Sequence, residues 1–321
     1  MNDRKGRISR RDTLRLALGA SAGLALRPFD LGAQPAGSND RETASLVSKA
    51  IPSTGERLPV IGIGTARRYD VAGSEAELAP LREVVRSFAR MGGRLIDTAP
   101  SYGNAESVIG SIAAQVPKRD PLFLATKVGR GREGVAAGRA EMDQSLKRLQ
   151  VEKVDLMQVH NLGGVDEMLP VLREWKDAGK TRYIGVTTSA KNQYAELERV
   201  LRSQRMDFLE VDYAIDNREV EQRILPLAQE REVAVLAALP FGRGRVLEKL
   251  RQQPVPAWAQ ELGIRTWAQF ALKYVVSHPA VTVAIPGTAT MPYLTDNVGA
   301  ARGPMPDAAT RGRMARLIDA A

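Results

Sequence analysis

Short apolar runs alternate with longer amphipathic segments along the chain from residue 58 onwards. Runs of four to seven mostly apolar residues, bounded by polar or glycine-containing stretches, are typical of buried β-strands. Eight such runs are predicted to be strands: Val60–Gly64, Arg94–Asp97, Leu122–Lys127, Val154–His160, Tyr183–Thr187, Phe208–Tyr213, Val233–Leu239 and Val281–Pro286.

The segments between these runs carry apolar residues at three- and four-residue spacing, as do Leu81, Val84, Val85 and Phe88. This spacing places the apolar side chains on one face of a helix. Several of the segments end at a glycine, as at Gly92, because glycine tolerates the left-handed turn that closes a helix. The predicted helices are Glu75–Gly92, Ala105–Val116, Gly138–Leu149, Val165–Gly179, Lys191–Ser203, Glu219–Arg231 and Arg265–Ser277, with a terminal helix Ala308–Ala320 packed on the outside.

Eight strands with helices between them, over about 250 residues, predict an α/β fold of the (β/α)₈ TIM barrel type. A doubly wound open sheet is the structural alternative, and it would carry a glycine fingerprint after its first strand. The sequence Gly62-Ile63-Gly64-Thr65 lacks the third glycine of that fingerprint. We therefore expect a single barrel domain over residues 51–321.

Residues 1–33 have the layout of a bacterial export signal. A basic run from Arg4 to Arg11 precedes the weakly apolar stretch Leu16–Leu26, and small residues at 31–33 suit a signal peptidase. The paired arginines resemble a twin-arginine signal, which directs the export of folded proteins. We expect a signal peptide over 1–33, a flexible linker over 34–50 and a mature protein that is periplasmic or secreted, with the twin-arginine export machinery as a partner. The alternative is a cytosolic leader or a disordered tail.

The composition excludes several classes of site. The chain has no cysteine, which excludes disulfides, thiolate zinc sites, iron–sulfur clusters and cysteine nucleophiles. With two histidines, no metal site is expected. The leader contributes +4 of the net charge of +9, so the remainder does not indicate a nucleic-acid partner. No apolar run reaches the length of a membrane span, so we expect none after processing.

Ionisable residues close three consecutive strands that are otherwise apolar. Asp97, Lys127 and His160 stand at these strand ends, and Tyr102 follows Asp97 in the next loop. Each residue alone has a structural interpretation, such as a capping carboxylate or a satisfied core histidine. In a barrel, however, the carboxyl ends of the strands share one open face, where active sites lie. Their joint occurrence therefore predicts one site.

The motifs around these residues resemble those of the aldo-keto reductase superfamily, from about Ile51 to Ala301. The longest is Asp97-Thr98-Ala99-Pro100-Ser101-Tyr102-Gly103-Asn104-Ala105-Glu106, followed by Ala125-Thr126-Lys127 and Asp155-Leu156-Met157-Gln158-Val159-His160. The resemblance extends to the predicted hairpin Ile51–Glu56, to Gly62–Thr65 and to Ile285–Thr288.

The resemblance implies that a carbonyl compound and an alcohol are interconverted by hydride transfer from a nicotinamide cofactor. Tyr102 would donate the proton, Lys127 would lower the pKa of the phenol from its usual value of about 10, and Asp97 would hold the lysine. His160 would donate a hydrogen bond to the substrate carbonyl and orient it.

The resemblance also implies a set of cofactor contacts at the barrel rim. By motif, they are Thr65, Asp97, Thr187, Thr188, Glu210, Tyr213, Phe241, Arg243, Thr288 and Asn297. The loop from Phe241 to Arg245 combines glycines suited to a close approach of pyrophosphate with two arginines that can pair with phosphate. A solvated basic loop is the alternative interpretation of this segment.

Several of these positions depart from the family pattern. Thr187-Thr188 stand where a Ser-Asn pair is usual, and Glu210 replaces a glutamine, so it could accept but not donate a hydrogen bond at the carboxamide. Ala238 stands where an aromatic ring stacks on nicotinamide, and Tyr213 is the candidate substitute.

The residues around the last strand leave the cofactor preference open. Tyr293 replaces the arginine expected four residues before Asn297, and Gly287 stands where some members have a lysine. NADP(H) is therefore favoured by the family resemblance, and NAD(H) remains the alternative.

We expect a monomeric, exported NAD(P)-dependent oxidoreductase that acts on a small carbonyl or alcohol substrate. The alternative is a periplasmic binding or accessory protein on a reductase scaffold, with catalysis weak or lost. The altered cofactor positions favour this alternative, whereas the intact set of Asp97, Tyr102, Lys127 and His160 opposes it.

Overall fold

The computed structural model describes residues 45–117 and 122–321. The predicted signal peptide and most of the predicted linker lie outside these residues. Within them, eight parallel strands pair in chain order. The strands are β3 (Ile63–Gly64), β4 (Leu95–Asp97), β5 (Phe123–Val128), β6 (Val154–Val159), β7 (Thr181–Thr188), β8 (Phe208–Asp212), β9 (Ala234–Ala238) and β10 (Val281–Ala284).

The first and last of these strands are joined, which closes the sheet. Parallel bridges connect Ile61 to Ala284 and Gly64 to Gly287. The Gly62 amide donates to the Ala284 carbonyl at 2.8 Å, and the Ala284 amide donates to Val60 at 2.9 Å. The predicted (β/α)₈ barrel is confirmed, and the open doubly wound sheet is excluded.

Helices follow the strands and cover the outside of the barrel. They are α1 (Glu75–Arg90), α2 (Ala105–Ala113), α3 (Val135–Leu149), α4 (Val165–Asp177), α5 (Tyr194–Ser203), α6 (Ile224–Glu230), α7 (Arg245–Leu250), α8 (Trp267–Ser277), α9 (Met291–Gly299) and α10 (Ala308–Ala320). The short helices α7 and α9 were not predicted. The predicted helices at 191 and 219 begin later, because three-residue 3₁₀ turns come first.

A hairpin precedes the barrel and is formed by β1 (Ser48–Ala50) and β2 (Arg57–Pro59). The Lys49 ammonium donates to the carbonyls of His278 and Val281, each at 2.7 Å. The linker predicted over 34–50 is therefore too long at its C-terminal end, because these contacts hold Ser48–Ala50 in place.

Two hydrophobic layers build the core. The larger lies between the strands and the helices. The smaller fills the barrel interior, where Phe123, Tyr183 and Phe208 pack with ring centroids 5.5–5.9 Å apart. Ile51 and Leu58 of the hairpin belong to this interior layer. The hairpin thus seals the end of the barrel at which the strands begin, and chemistry is left to the opposite end. None of the helices in the described ranges combines the length and apolarity needed to cross a bilayer.

Candidate active site

The alternation of side chains along a strand places the polar residues of the site inside the barrel. Successive side chains of a strand point to opposite faces. Leu95, Phe123, Leu156 and Phe208 belong to the interior layer. The inward positions nearer the carboxyl ends of the same four strands are occupied by Asp97, Lys127, Gln158 and Glu210. The apolar interior therefore gives way to a polar layer at the open end.

Lys127 is the centre of this polar layer and is wholly buried. Its Nζ atom lies 2.7 and 2.6 Å from the two carboxylate oxygens of Asp97, 3.1 Å from the Thr98 carbonyl and 3.2 Å from Oε2 of Glu210. Burial disfavours the ammonium, but Asp97 and Glu210 together outweigh it and hold the pKa of Lys127 above its ordinary value. Burial and the Glu210 charge raise the pKa of Asp97 to about 8, against the effect of Lys127.

Tyr102 lies in the loop between β4 and α2, with Lys127 Nζ 5.2 Å from its ring centroid. The Lys127 charge lowers the pKa of the phenol, but burial and the carboxylates of Asp97 and Glu210 together raise it to about 12. The sequence led us to expect a lowered value. The net shift has the opposite sign because burial of the phenol and two carboxylates together outweigh the effect of the ammonium.

His160 follows β6 and faces Tyr102 edge-on, with ring centroids 6.1 Å apart. Its Nδ1 atom lies 3.5 Å from the Ser101 hydroxyl. Burial, with the Lys127 charge, lowers the pKa of His160 to about 4, so the ring is neutral at pH 7. When the Ser101 hydroxyl donates to Nδ1, the proton stays on Nε2, which can then donate to a carbonyl oxygen.

These side chains stand at an open cleft of about 420 Å³ at the barrel mouth. Asp97 and Lys127 lie behind it, in the interior. The lining residues are Ala66, Arg67, Asp70, Ser101, Tyr102, Gly103, His160, Asn161, Thr187, Thr188, Ser189, Glu210, Ala238, Leu239 and Arg243. The structure thus brings the predicted catalytic residues together with four of the predicted cofactor contacts.

The two threonines that end β7 line the cleft with different hydrogen-bonding capacity. Thr187 Oγ1 accepts from the Asn161 amide at 3.1 Å, which leaves its hydroxyl proton for another acceptor. The Thr188 hydroxyl donates to Gln193 at 2.6 Å and accepts from the Ala190 amide at 3.1 Å. Thr187 is therefore the better placed of the two to bind a ligand.

Four further cofactor predictions fall on residues outside the cleft lining. Thr65 is buried and donates to the Asp97 carbonyl at 2.9 Å, so it supports the end of β4. Asn297 donates to Thr288 at 3.0 Å, and both side chains are nearly buried. Phe241 packs half-buried against the layer between strands and helices.

Tyr213 does not reach the cleft, and its predicted stacking role is wrong. Its ring is fully buried, its hydroxyl donates to Glu221, and Arg311 donates to the same hydroxyl at 2.8 Å. The reason is the alternation of the strand, because Tyr213 is an odd number of positions beyond the inward-facing Glu210. Ala238 lines the cleft, as its motif position implied.

Sequence reasoning missed the backbone strain at the cleft. Among the described residues, seven non-glycine positions have positive φ, and four of them line the cleft: Arg67, Asn161, Leu239 and Arg243. Such conformations cluster at functional sites. Asparagine tolerates the left-handed region, but no local sequence signal marks the other three positions, because Arg and Leu do not favour it.

The loop after β9 has a tight approach that requires glycine. Gly242 has φ +56°, and a Cβ atom there would lie 2.5 Å from the Asp216 carboxylate. Arg245 pairs with Asp216 at 3.0 Å, whereas Arg243 makes no hydrogen bond or ion pair with residues 45–117 or 122–321. The side chain of Arg243 is therefore available to an anionic group in the cleft. Across the same described ranges, no group of three or more His, Asp and Glu side chains is arranged to hold a metal ion.

Residues 60–310 match the model of the aldo/keto reductase family. The chain is 32% identical over 218 residues to the aldo-keto reductase YhdN of Bacillus subtilis, a match that covers 64% of this chain and 65% of that protein. It is 29% identical to the L-galactose dehydrogenase of Arabidopsis thaliana over 283 residues, covering 78% of this chain and 87% of the plant protein.

Solved structures resemble the fold over most of its length. An aldo/keto reductase from Klebsiella pneumoniae in complex with NADP and acetate has a TM-score of 0.70 and 27% identity, covering 82% of this chain and 93% of that one. A Klebsiella pneumoniae aldo-keto reductase in complex with NADPH has a TM-score of 0.71 and 26% identity, and the match covers 86% of this chain and 95% of that one.

Proposed function

Because the chain belongs to the aldo/keto reductase family, we propose that it reduces an aldehyde or ketone to the alcohol with NADPH, with Tyr102 as the proton donor. Members of this family are NAD(P)-dependent oxidoreductases, and so is this protein. The two Klebsiella relatives hold NADP or NADPH, which favours NADP(H) as the cofactor.

The observation that carries the proposal is the convergence of the four polar residues at one cleft. Tyr102 and His160 line the cleft, and Lys127 lies behind the phenol, with Asp97 2.6 Å from its ammonium. The Tyr102 hydroxyl holds its proton at neutral pH, and neutral His160 can hold a carbonyl oxygen in place. A positioned donor of this kind contributes a factor of about 10²–10⁴ in rate.

The cleft fits a dinucleotide in part. Arg243 and the glycine-dependent loop suit the phosphates, and Thr187 suits the carboxamide. NADPH, when bound, supplies the hydride for the carbonyl carbon. Ala238 offers no ring for stacking. Binding of the nicotinamide therefore depends on hydrogen bonds more than on an aromatic face.

Titration of the purified protein with NADPH and NADH, followed by fluorescence, is the first test. We expect NADPH to bind and simple aldehydes to be reduced. In Tyr102→Phe we expect the rate to fall by about 10²-fold or more, with NADPH affinity unchanged, because the phenol hydroxyl acts on the substrate oxygen. Failure of both dinucleotides to bind at millimolar concentration would instead support the binding-protein alternative.

We also propose that the protein is exported in the folded state. The support is the layout of residues 1–33, in which Arg10 and Arg11 precede a weakly apolar stretch. Expressed in a bacterium with a twin-arginine pathway, the full chain should accumulate in the periplasm, whereas the double variant Arg10→Lys, Arg11→Lys should stay in the cytoplasm. Equal distribution of the two proteins would contradict export by this route.

A further inference from the structure

Lys127 has a second carboxylate partner, which comes from the opposite side of the barrel interior. Glu210 lies on β8, three strands away from β5 in the sheet order. Its Oε2 atom is 3.2 Å from Lys127 Nζ and 3.1 Å from Nε2 of Gln158. The Glu210 residue is only 7% exposed.

Gln158 fixes the orientation of this carboxylate. Its amide nitrogen donates to Glu210, and its amide oxygen is buried without a hydrogen-bond partner among the described residues. The Gln158 side chain thus donates a hydrogen bond to the Glu210 carboxylate, while its own carbonyl oxygen accepts none from the described residues. A buried unsatisfied acceptor is costly, so the arrangement indicates that the charge of Glu210 is the feature being stabilised.

The charge balance follows from these contacts. One ammonium, Lys127, faces two carboxylates, Asp97 and Glu210, and the neighbouring His160 is neutral. With both carboxylates ionised, which for Asp97 requires a pH above its raised pKa of about 8, the cluster around the Tyr102 phenol carries a net charge of −1. A phenolate would add a second uncompensated negative charge to a buried site, which is unfavourable.

Lys127, Asp97 and Glu210 are the charged groups that act most strongly on the Tyr102 phenol, and other charges stand farther out. The Arg132 charge acts on His160, and its guanidinium donates to the Asn161 carbonyl. Arg67 and Asp70 line the cleft with opposite charges. Arg243 also lines the cleft, on the loop proposed above to bind the cofactor phosphates.

We propose that Glu210 is a positioning residue that acts through Lys127 to keep the Tyr102 hydroxyl protonated, and that it thereby extends the pH range of carbonyl reduction to higher pH. This inference rests on the proposed role of Tyr102. In reduction, the Tyr102 O–H bond breaks as the proton passes to the carbonyl oxygen, while hydride from NADPH forms the new C–H bond. In oxidation, the phenolate must accept the alcohol proton while hydride passes to NADP⁺.

Two variants of Glu210 test this role in the full chain. The titration of Tyr102 is followed by phenolate absorbance from about pH 8 to 12, because its pKa is raised to about 12. The signal is taken as the difference between each protein and the same protein carrying Tyr102→Phe. In Glu210→Gln, which has a similar shape and no charge, we expect the phenolate to form at least about one pH unit lower than in the unsubstituted protein. Glu210→Asp keeps the charge and should titrate closer to the unsubstituted protein than Glu210→Gln does.

The pH profiles of the two reaction directions give the second readout. In Glu210→Gln, the decline of the reduction rate with rising pH and the rise of the oxidation rate should both move about one pH unit lower, which corresponds to one unit of pKa. Asp70→Asn is the matched control, because it removes a carboxylate from the cleft mouth and should leave the Tyr102 titration unchanged.

The outcomes separate this inference from the proposed function. An unchanged Tyr102 titration in folded Glu210→Gln overturns the inference, even when the protein reduces carbonyls. An equal shift in Asp70→Asn also overturns it, because the effect would then be one of general cleft charge. A shift confined to Glu210→Gln in a protein without reductase activity supports the charge coupling and rejects the proposed function.

Discussion

Lys127 holds a charge inside the barrel because two carboxylates from different strands surround it. An isolated charge in such an interior would be highly unfavourable, and pairing is what makes burial tolerable. The charges of Asp97 and Glu210 also offset the effect of the Lys127 charge on the pKa of Tyr102. The pKa of the Tyr102 phenol is therefore set by the whole cluster and not by one neighbour.

Removal of the ammonium should affect both folding and catalysis. Lys127→Met leaves Asp97 and Glu210 buried without a cation, which costs about 3–5 kcal/mol of unfolding free energy. We also expect the reduction rate to fall by about 10²-fold or more. Urea unfolding and steady-state rates measure the two effects. Retention of full activity would show that the lysine is not needed for proton donation.

The neutral His160 ring gives a pH prediction. Burial lowers the pKa of His160 to about 4, so the ring remains a neutral hydrogen-bond donor from pH 7 down to about pH 5. The rate of carbonyl reduction should then show no inflection near 6.5, the usual value for histidine. A pH–rate profile tests this, with His160→Gln as the reference that lacks the acid limb. An inflection near 6.5 would contradict a buried, neutral histidine.

At the scale of elements, the two helices that follow the catalytic strands β4 and β5 are linked by a buried carboxylate. Glu106 of α2 is fully buried and accepts from Thr126 of β5 at 2.5 Å, from Ser145 of α3 at 3.3 Å and from Arg148 of α3 at 2.7 Å. It therefore holds both helices against the strand that carries Lys127.

The ion pair between these helices should be a large contributor to stability. Arg148→Met keeps the apolar stem but leaves the Glu106 charge uncompensated, and we expect unfolding to become easier by about 3 kcal/mol. Arg139→Met is the matched control, because Arg139 pairs with Glu174 on the surface and should cost less than about 1 kcal/mol. Equal losses in urea unfolding would indicate that burial does not set the strength of the pair.

At the scale of the whole molecule, the barrel depends on the seam between its first and last strands. The Gly64 amide donates to the Pro286 carbonyl at 3.0 Å, and a Cβ atom at Gly64 would lie 2.8 Å from the Ile285 carbonyl oxygen. Because that neighbour is backbone, it cannot move aside without opening the seam.

A methyl group at the seam should therefore destabilise the protein. We expect Gly64→Ala to lower the free energy of unfolding by about 1–3 kcal/mol through overpacking. Gly312→Ala in α10 is the control, because its Cβ would meet only the flexible end of Arg316 at 3.4 Å. This substitution should raise the free energy of unfolding by up to about 1 kcal/mol. The thermal unfolding midpoints of the two variants should shift in opposite directions. A higher midpoint for Gly64→Ala would contradict the proposed overpacking at the seam.

The sequence by itself determined most of the elements and which polar residues gather at the cleft. Apolar residues repeat every second position in a strand and every third or fourth position in a helix. This spacing shows which face of each element is buried, and it can be read from the local sequence alone. The same periodicity already implied that Tyr213 points outward, although the motif resemblance suggested otherwise. Asp97, Tyr102, Lys127 and His160 could be identified because each closes or follows an apolar strand.

Only the tertiary structure decided how these groups are charged and what surrounds them. Glu210 reaches Lys127 across the interior of a closed barrel, and the sequence contains no signal for a contact between strands that are not neighbours. The left-handed conformations of Arg67 and Arg243 likewise depend on the loops around the cleft. Electrostatic effects depend on distances in space, whereas a sequence pattern specifies only the local direction of each side chain.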